Sequence, residues 1–149
     1  MIGFPFDLPF DRDLIRRTYE HCMKLDKRVL CMGHAFFTGD AAFVGDRKGA
    51  RKLLDRIIDE TLEPVWGMGT ECTTATSTCF ITTMGAMLQT AIMAFTGIRF
   101  EPEHWTKCDA CLPEGWDRIE VGRIYLGGQA YKLEAVNGGK AVLTPIEED

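Results

Sequence analysis

The sequence predicts an α+β protein, with a helical part over residues 1–100 and a small antiparallel β domain over residues 101–149. Up to Phe100, apolar residues recur at intervals of three and four, which is the spacing of one helix face. After Pro102, apolar and polar residues alternate, which is the spacing of half-buried strands. Two glycine-rich turns interrupt this alternation and favour hairpins. The chain therefore divides into helices first and strands second.

The composition is that of an ordinary folded chain. With 149 residues, of which 46% are hydrophobic and 26% charged, it can bury a core as one compact unit. The net charge of −5 comes without a Lys/Arg-rich run, so no nucleic-acid partner is predicted. Residues 72–98 are uncharged but are rich in Thr and interrupted by Gly85, which argues against a membrane helix. The first residues do not resemble a secretory signal, so we expect a cytoplasmic protein.

Four helices are expected in the first part. One covers residues 11–25, where Asp11 or Asp13 caps the start, and a second, apolar on most sides, covers residues 29–44 and ends at Gly45-Asp46. A third, centred on residues 50–58, has the clearest amphipathic pattern. Residues 63–78 have no hydrophobic period and are predicted to form a long loop. The fourth helix, over residues 80–95, is apolar nearly all round, so we expect it to be a central, buried element that Gly97 ends.

Three strands are expected in the second part, where they form an antiparallel meander. Gly127-Gly128 and Asn137-Gly138-Gly139 supply the turns between them. Trp116, in the preceding connection, is expected to cover one end of the sheet. The expected strands are residues 118–126, 129–136 and 140–144.

The cysteines predict neither a metal site nor a disulfide framework. Cys108 and Cys111 have the spacing of half a zinc site, with His104 nearby. No second CxxC or HxxH pair occurs in the sequence, so no metal is expected. Free thiols are expected, because a chain of this size with a sufficient core needs no disulfides. No cofactor is predicted either.

Five segments of the chain, taken in order, carry a family resemblance. They are residues 3–10 (GFPFDLPF), 16–19 (RRTY), 80–89 (FITTMGAMLQ), 95–99 (FTGIR) and 112–116 (LPEGW). Together they resemble the C-terminal region of family 65 glycoside hydrolases, a family with hydrolase and phosphorylase members that act on α-linked glucosides. The resemblance implies the final helices of an (α/α)₆ barrel, followed by the small β domain that closes these enzymes. The other barrel helices have no counterpart in this chain.

The resemblance also implies one catalytic residue. Inverting hydrolysis of a glycoside needs two carboxyl groups about 6.5–9.5 Å apart, one as general acid and one as general base. In the resembling hydrolases the general base lies in the loop before the last barrel helix, where this chain has Glu71. The general acid lies on an earlier helix and is not found here. For Glu71, the alternative is an ordinary solvated loop carboxylate.

Three further residues are candidate substrate-binding groups. Trp66 could stack on a sugar ring, although a tryptophan in the core is at least as common. Thr82 and Thr83 begin a helix, where free amides favour an anion such as phosphate, or where their hydroxyls cap the helix. We favour capping. His34 lies on an apolar helix and is expected to be a core residue.

The functional expectation is therefore a C-terminal fragment or subunit of an inverting α-glucoside hydrolase that is not active alone. Two alternatives stay open: a non-enzymatic carbohydrate-binding or assembly module derived from such an enzyme, and part of an α-glucoside phosphorylase. The expected partners are an α-linked glucoside and either the missing N-terminal part of the barrel or a second copy of the chain. A cut ring of paired helices leaves apolar edges, which favour association.

Overall fold

Helices precede strands along the chain, as the sequence predicts. The computed structural model describes residues 11–25, 31–62, 67–71, 80–100 and 105–147. Within these ranges the helices are α1 (Arg12–Leu25), α2 (Cys31–Val44), α3 (Arg47–Thr61) and α4 (Ile81–Gln89), which continues as a π-helical segment (Thr90–Phe95). The strands are β1 (Ile98–Phe100), β2 (Trp105–Lys107), β3 (Arg118–Leu126), β4 (Gln129–Val136) and β5 (Val142–Pro145). The α+β class is confirmed.

α1 begins where its capping residue predicts. The Asp11 carboxylate accepts a hydrogen bond from the Asp13 amide, with a distance of 3.3 Å between Oδ1 and N. Ile15 and Tyr19, one helical turn apart, form the buried face of the helix. Side chains on the opposite face, such as Arg17, remain exposed. This amphipathic pattern directs α1 onto the end of α2.

α2, not α4, is the central helix, which corrects the sequence-based expectation. It packs against α1, α3, α4 and the π-helical segment. Its small residues, including Ala35, Ala41 and Ala42, are buried and allow the neighbouring backbones to approach closely. α4 instead exposes two large apolar side chains, with Ile81 80% and Leu88 61% accessible. α4 carries more apolar surface than the described neighbours cover.

The turn between α2 and α3 is built around Asp46. Gly45 adopts a positive φ of 85°, which ends α2 as expected. Asp46 caps α3 by accepting a hydrogen bond from the Gly49 amide at 2.9 Å, and it accepts a second from the Tyr19 hydroxyl at 3.1 Å. Burial, and then the adjacent Asp46 carboxylate, raise the pKa of Tyr19 above its ordinary value. α1 is thereby joined to the start of α3.

Gly97 ends the fourth helical element where the sequence predicts. Its φ is +76°, a conformation that L side chains rarely adopt. A Cβ at this position would lie only 2.4 Å from the carbonyl oxygen of Cys108. That closeness allows the Cys108 amide to donate to the Gly97 carbonyl at 2.7 Å. Strands β1 and β2 pair in antiparallel fashion beside this contact, with Ile98 opposite Lys107.

β3, β4 and β5 form the predicted antiparallel meander, with one shift at its end. β3 and β4 have the expected bounds, and a bulge interrupts their register between Val121 and Ile124. β5 begins at Val142 rather than at Lys140. The reason is that Lys140 and the preceding turn pair with the connection before the sheet: Ala110 exchanges hydrogen bonds of 2.8 Å with the backbone of Gly138 and Gly139. The expected start of the third strand was therefore wrong.

Trp116 packs on the helical part of the chain. Its ring meets Phe95 of the π-helical segment edge to face, with 6.1 Å between centroids and 78° between planes. Both rings belong to the core that α1, α2 and α3 share. Edge-to-face pairs of this kind stabilise by about 0.5–1.5 kcal/mol beyond their burial. The sequence did not predict this contact, because Phe95 lies in a distant segment of the chain; that Trp116 also covers one end of the sheet stays a prediction.

Arg47, the first residue of α3, joins the helices to the segment that leads into the β domain. Its Nε donates to the Leu112 carbonyl at 2.9 Å, and its Nη2 donates to the carbonyls of Trp116 at 2.8 Å and Pro113 at 3.3 Å. The Arg47 carbonyl accepts from the Glu114 amide at 3.0 Å. The side chain and the carbonyl of Arg47 thus hold both ends of the segment 112–116.

Among the helices described here, none combines the length and the apolar character that crossing a membrane would require.

We expect Arg47→Met to lower the free energy of unfolding by about 2–4 kcal/mol, because three partly buried carbonyls lose charged donors. The neighbouring Lys48→Met is the matched control, since the Lys48 side chain is 82% exposed. Its effect should stay within about 0.5 kcal/mol. Urea unfolding of both variants, followed by circular dichroism, measures the difference. Equal stabilities of the two variants would contradict a stabilising role for the hydrogen bonds of the Arg47 side chain.

Candidate functional site

The segment that contains Glu71 lies between the end of α3 and the start of α4. The Thr61 carbonyl accepts hydrogen bonds from the Thr70 amide at 2.7 Å and from the Thr70 hydroxyl at 3.1 Å. On the other side, the Phe80 amide donates to the Gly69 carbonyl at 2.7 Å. Leu62 and Gly69 also pair as an isolated antiparallel bridge. Residues 67–71 are thus held by backbone contacts from both helices.

Gly69 allows this segment to pack closely on α4. A Cβ at Gly69 would lie 2.8 Å from the Met84 sulfur and 3.6 Å from the Phe80 carbonyl oxygen. Gly69 is buried, whereas Gly67, which has a φ of 64°, is exposed. The chain therefore passes from solvent onto the first turns of α4 within a few residues. Glu71 follows directly after this contact.

Glu71 is partly buried, so it differs from a fully solvated loop carboxylate. Partial burial beside a helix start suits a general base, which must be fixed in position and still reach water. Inverting hydrolysis also requires a general acid. This second carboxyl group was not expected in the chain. The described geometry therefore positions one carboxyl group, and its role belongs to the proposal below.

Thr82 and Thr83 lie in the first turn of α4, but they face different surroundings. Thr83 is completely buried, at 0% exposure, and its amide donates to the Phe80 carbonyl at 3.1 Å. Thr82 is exposed. Phe80 occupies the N-cap position and makes no side-chain capping bond. Of the two threonines, Thr82 is therefore the one that a ligand in solution can reach.

Trp66, the candidate sugar-stacking residue, lies outside the described residues, and so does His104. His34 is 2% exposed on α2, in agreement with a core position. Its carbonyl accepts the Thr38 hydroxyl at 2.8 Å. The structure thus places Glu71, Thr82 and Thr83 at one junction between helices, and His34 in the core.

Cys108 and Cys111 are both free thiols, the first exposed and the second partly buried. Burial raises the pKa of the Cys111 thiol. Within the part of the chain that the structure describes, no three His, Cys, Asp or Glu residues are grouped so that they could hold a metal ion. Both cysteines line a cavity between the helices and the β domain.

The sequence did not single out the arginines that line the same cavity. Arg12, Arg47 and Arg99 come from three distant segments and share no motif. The one signal in the sequence is Arg99, a charged residue that directly follows a long apolar stretch. Its side chain is only 4% exposed. A buried arginine in such a position marks a specific environment, because charged side chains are rarely buried without partners.

Comparison with known proteins adds no relative: no protein family matches the chain, and no curated protein matches it.

We expect Thr70→Val to loosen the Glu71 segment. The substitution keeps the side-chain shape but removes the hydroxyl donor to Thr61, which costs about 1 kcal/mol. Hydrogen exchange at the residue 70 and Phe80 amides should accelerate by roughly fivefold. Thr18→Val, which removes an equivalent hydroxyl bond of 2.8 Å to Leu14 within α1, is the control and should leave both amides unchanged. Unaltered exchange in Thr70→Val would mean that the hydroxyl does not hold the segment.

Proposed function

We propose that this chain is the C-terminal part, or a separately encoded C-terminal subunit, of an inverting α-glucoside hydrolase of the family 65 type. In this proposal Glu71 is the general base. The observation that carries it is the position of Glu71, in a segment hydrogen-bonded to both the end of α3 and the start of α4. The resembling hydrolases carry their general base in the loop before the last barrel helix.

The proposed chemistry needs a fixed carboxylate beside a water molecule. The bonds from Thr70 and Phe80 restrain the backbone on either side of Gly69, so the motion of Glu71 is limited. The carboxylate would remove a proton from water as that water attacks the anomeric carbon from the face opposite the leaving group. Product configuration would therefore be inverted.

A phosphorylase is the second candidate, and the start of α4 favours it. The first-turn amides of Ile81 and Thr82 have no acceptor among the described residues, and the exposed Thr82 hydroxyl lies beside them. Free amides at a helix start attract phosphate through hydrogen bonds and the helix dipole. Phosphate would then attack the glucoside in place of activated water.

The exposed face of α4 supports a larger helical assembly. Ile81 and Leu88 are seven residues apart, so they lie on one face of the helix. In an (α/α)₆ barrel each helix buries its apolar surface against neighbours on both sides. We assign this face to contact with the remaining barrel helices, which would also supply the general acid. The chain alone would then bind α-linked glucosides incompletely.

We expect the chain alone to release no glucose from α-linked disaccharides, and to do so when a polypeptide supplying the remaining helices is added. In that assembly Glu71→Gln should lower turnover by about 10²–10⁴-fold, because a neutral amide cannot accept the proton of water. Glu114→Gln, at an exposed loop position, is the matched control. Assays with and without phosphate separate the two candidates, since a phosphorylase forms glucose 1-phosphate. An unchanged rate in Glu71→Gln would remove this residue from the mechanism.

Azide distinguishes a base from a merely structural residue in the same assay. Azide is an anion that attacks without losing a proton, so it should restore turnover to Glu71→Ala and form β-glucosyl azide. If Glu71→Ala lost its activity through a disturbed structure, azide would not restore its turnover.

We expect the isolated chain to self-associate through the exposed face of α4. Light scattering after size exclusion at low micromolar concentration should give a mass above the 16.7 kDa of one chain. Replacing both Ile81 and Leu88 by Lys should return the mass to that of a monomer, because charges oppose burial of the face. Leu25→Lys, at an apolar position of α1 that is 66% exposed, is the control. A monomeric parent chain would exclude this contact.

A further inference from the structure

Gly69, which shortly precedes Glu71, contacts the start of α4 through a backbone group and through a side chain. Its carbonyl accepts a hydrogen bond from the Phe80 amide at 2.7 Å. Its α-carbon faces Met84, because a Cβ built on Gly69 would lie 2.8 Å from the Met84 sulfur and 3.0 Å from its Cγ. Positions 80 and 84 are one helical turn apart, so they lie on one face of the helix. The segment that contains Glu71 therefore rests on this face.

The Met84 side chain limits how closely Gly69 approaches the helix. The two atoms nearest to a Cβ at Gly69 both belong to Met84, whereas the next, the Phe80 carbonyl oxygen, lies at an ordinary contact distance of 3.6 Å. Gly69 does not have the positive φ of Gly67, so its backbone conformation would accept an alanine. Position 69 therefore requires a glycine for space, and Met84 is the residue that occupies this space.

The chemistry of Met84 suits a contact with a backbone. Its side chain is unbranched and carries a polarisable thioether, so it fills an irregular gap without needing a hydrogen-bond partner. Met84 is partly buried, and Gly69 is buried beneath it. A hydrogen bond fixes the separation of its two groups, whereas the bulk of a packed side chain fixes how far a neighbouring segment stands from the helix surface. Met84 supplies that bulk for the segment 67–71.

We propose that Met84 is a positioning residue for Glu71: its side chain sets the distance between the segment 67–71 and α4, and thereby the place of the Glu71 carboxylate. The inference rests on the proposed role of Glu71 as general base and adds a residue that takes no part in the chemistry itself. A misplacement of about 1 Å can lower an enzymatic rate by about 10²-fold. The thickness of one side chain is therefore enough to affect turnover.

Hydrogen exchange in the full chain tests the position of the segment independently of any activity. In Met84→Ala, the Thr70 and Phe80 amides should exchange about fivefold faster than in the parent chain, because the space left beneath the segment lets it move. Met84→Leu keeps the bulk and should exchange as the parent chain does. Met87→Ala is the matched control, since Met87 is also partly buried on α4 but packs on a different cluster of the core. It should not accelerate these two amides relative to the other amides of α4.

A complementary pair of substitutions tests the contact between the two residues. Gly69→Ala places a methyl group against the Met84 sulfur, so it should also accelerate exchange at the Thr70 and Phe80 amides by about fivefold. Gly69→Ala combined with Met84→Ala should return exchange to within about twofold of the parent chain, because the new methyl group fills part of the space that the shorter side chain leaves. Independent effects of the two substitutions would multiply instead.

In the assembly with the remaining helices, Met84→Ala should lower kcat about tenfold and change KM by less than about twofold, because the base is misplaced while the substrate contacts stay. Met84→Leu and Met87→Ala should keep the parent rate. The proposal is overturned if Met84→Ala and Met87→Ala behave alike in exchange or in turnover, or if the effects of the paired substitutions multiply. An unchanged rate in Glu71→Gln would instead refute the general base, while the exchange measurements would still decide whether Met84 sets the place of the segment.

Discussion

The guanidinium group of Arg47 is the constraint on which the rest of the structure depends. It holds the carbonyls of Leu112, Pro113 and Trp116, and so fixes the path of the chain between the helices and the sheet. That path brings the Trp116 ring onto Phe95 and sets where β3 starts. Charge-assisted bonds to carbonyls are stronger than neutral ones, and a carbonyl left buried without its donor is costly.

α3 carries this constraint at one end and the proposed catalytic segment at the other. Its first residue, Arg47, lines the cavity that Cys108 and Cys111 also line, and its last residue, Thr61, accepts both bonds from Thr70. With 15 residues, the helix spans about 20 Å at a rise of about 1.5 Å per residue. The contacts of Arg47 and the segment that contains Glu71 therefore lie at opposite ends of one helix.

Many elements could be predicted because their signals are local. The Asp11 cap, the helix stops at Gly45 and Gly97, and the glycine turn between β3 and β4 each depend on a few neighbouring residues. Position relative to other elements was less predictable. α4 is apolar, but whether an apolar helix is central depends on which helices surround it, and α2 has that place. β5 starts late because Ala110, about thirty residues away in sequence, binds the turn before it.

By itself, the sequence determined the α+β class, the amphipathic face of α1, the capping of its helix start and the position of Glu71 before the last helix. Periodicity and turn chemistry act over a few residues, so a single chain displays them directly. Only the tertiary structure decided that Arg12, Arg47 and Arg99 line one cavity and that Trp116 packs on Phe95. Residues so far apart along the chain meet through packing and long-range hydrogen bonds, and no local pattern encodes such meetings.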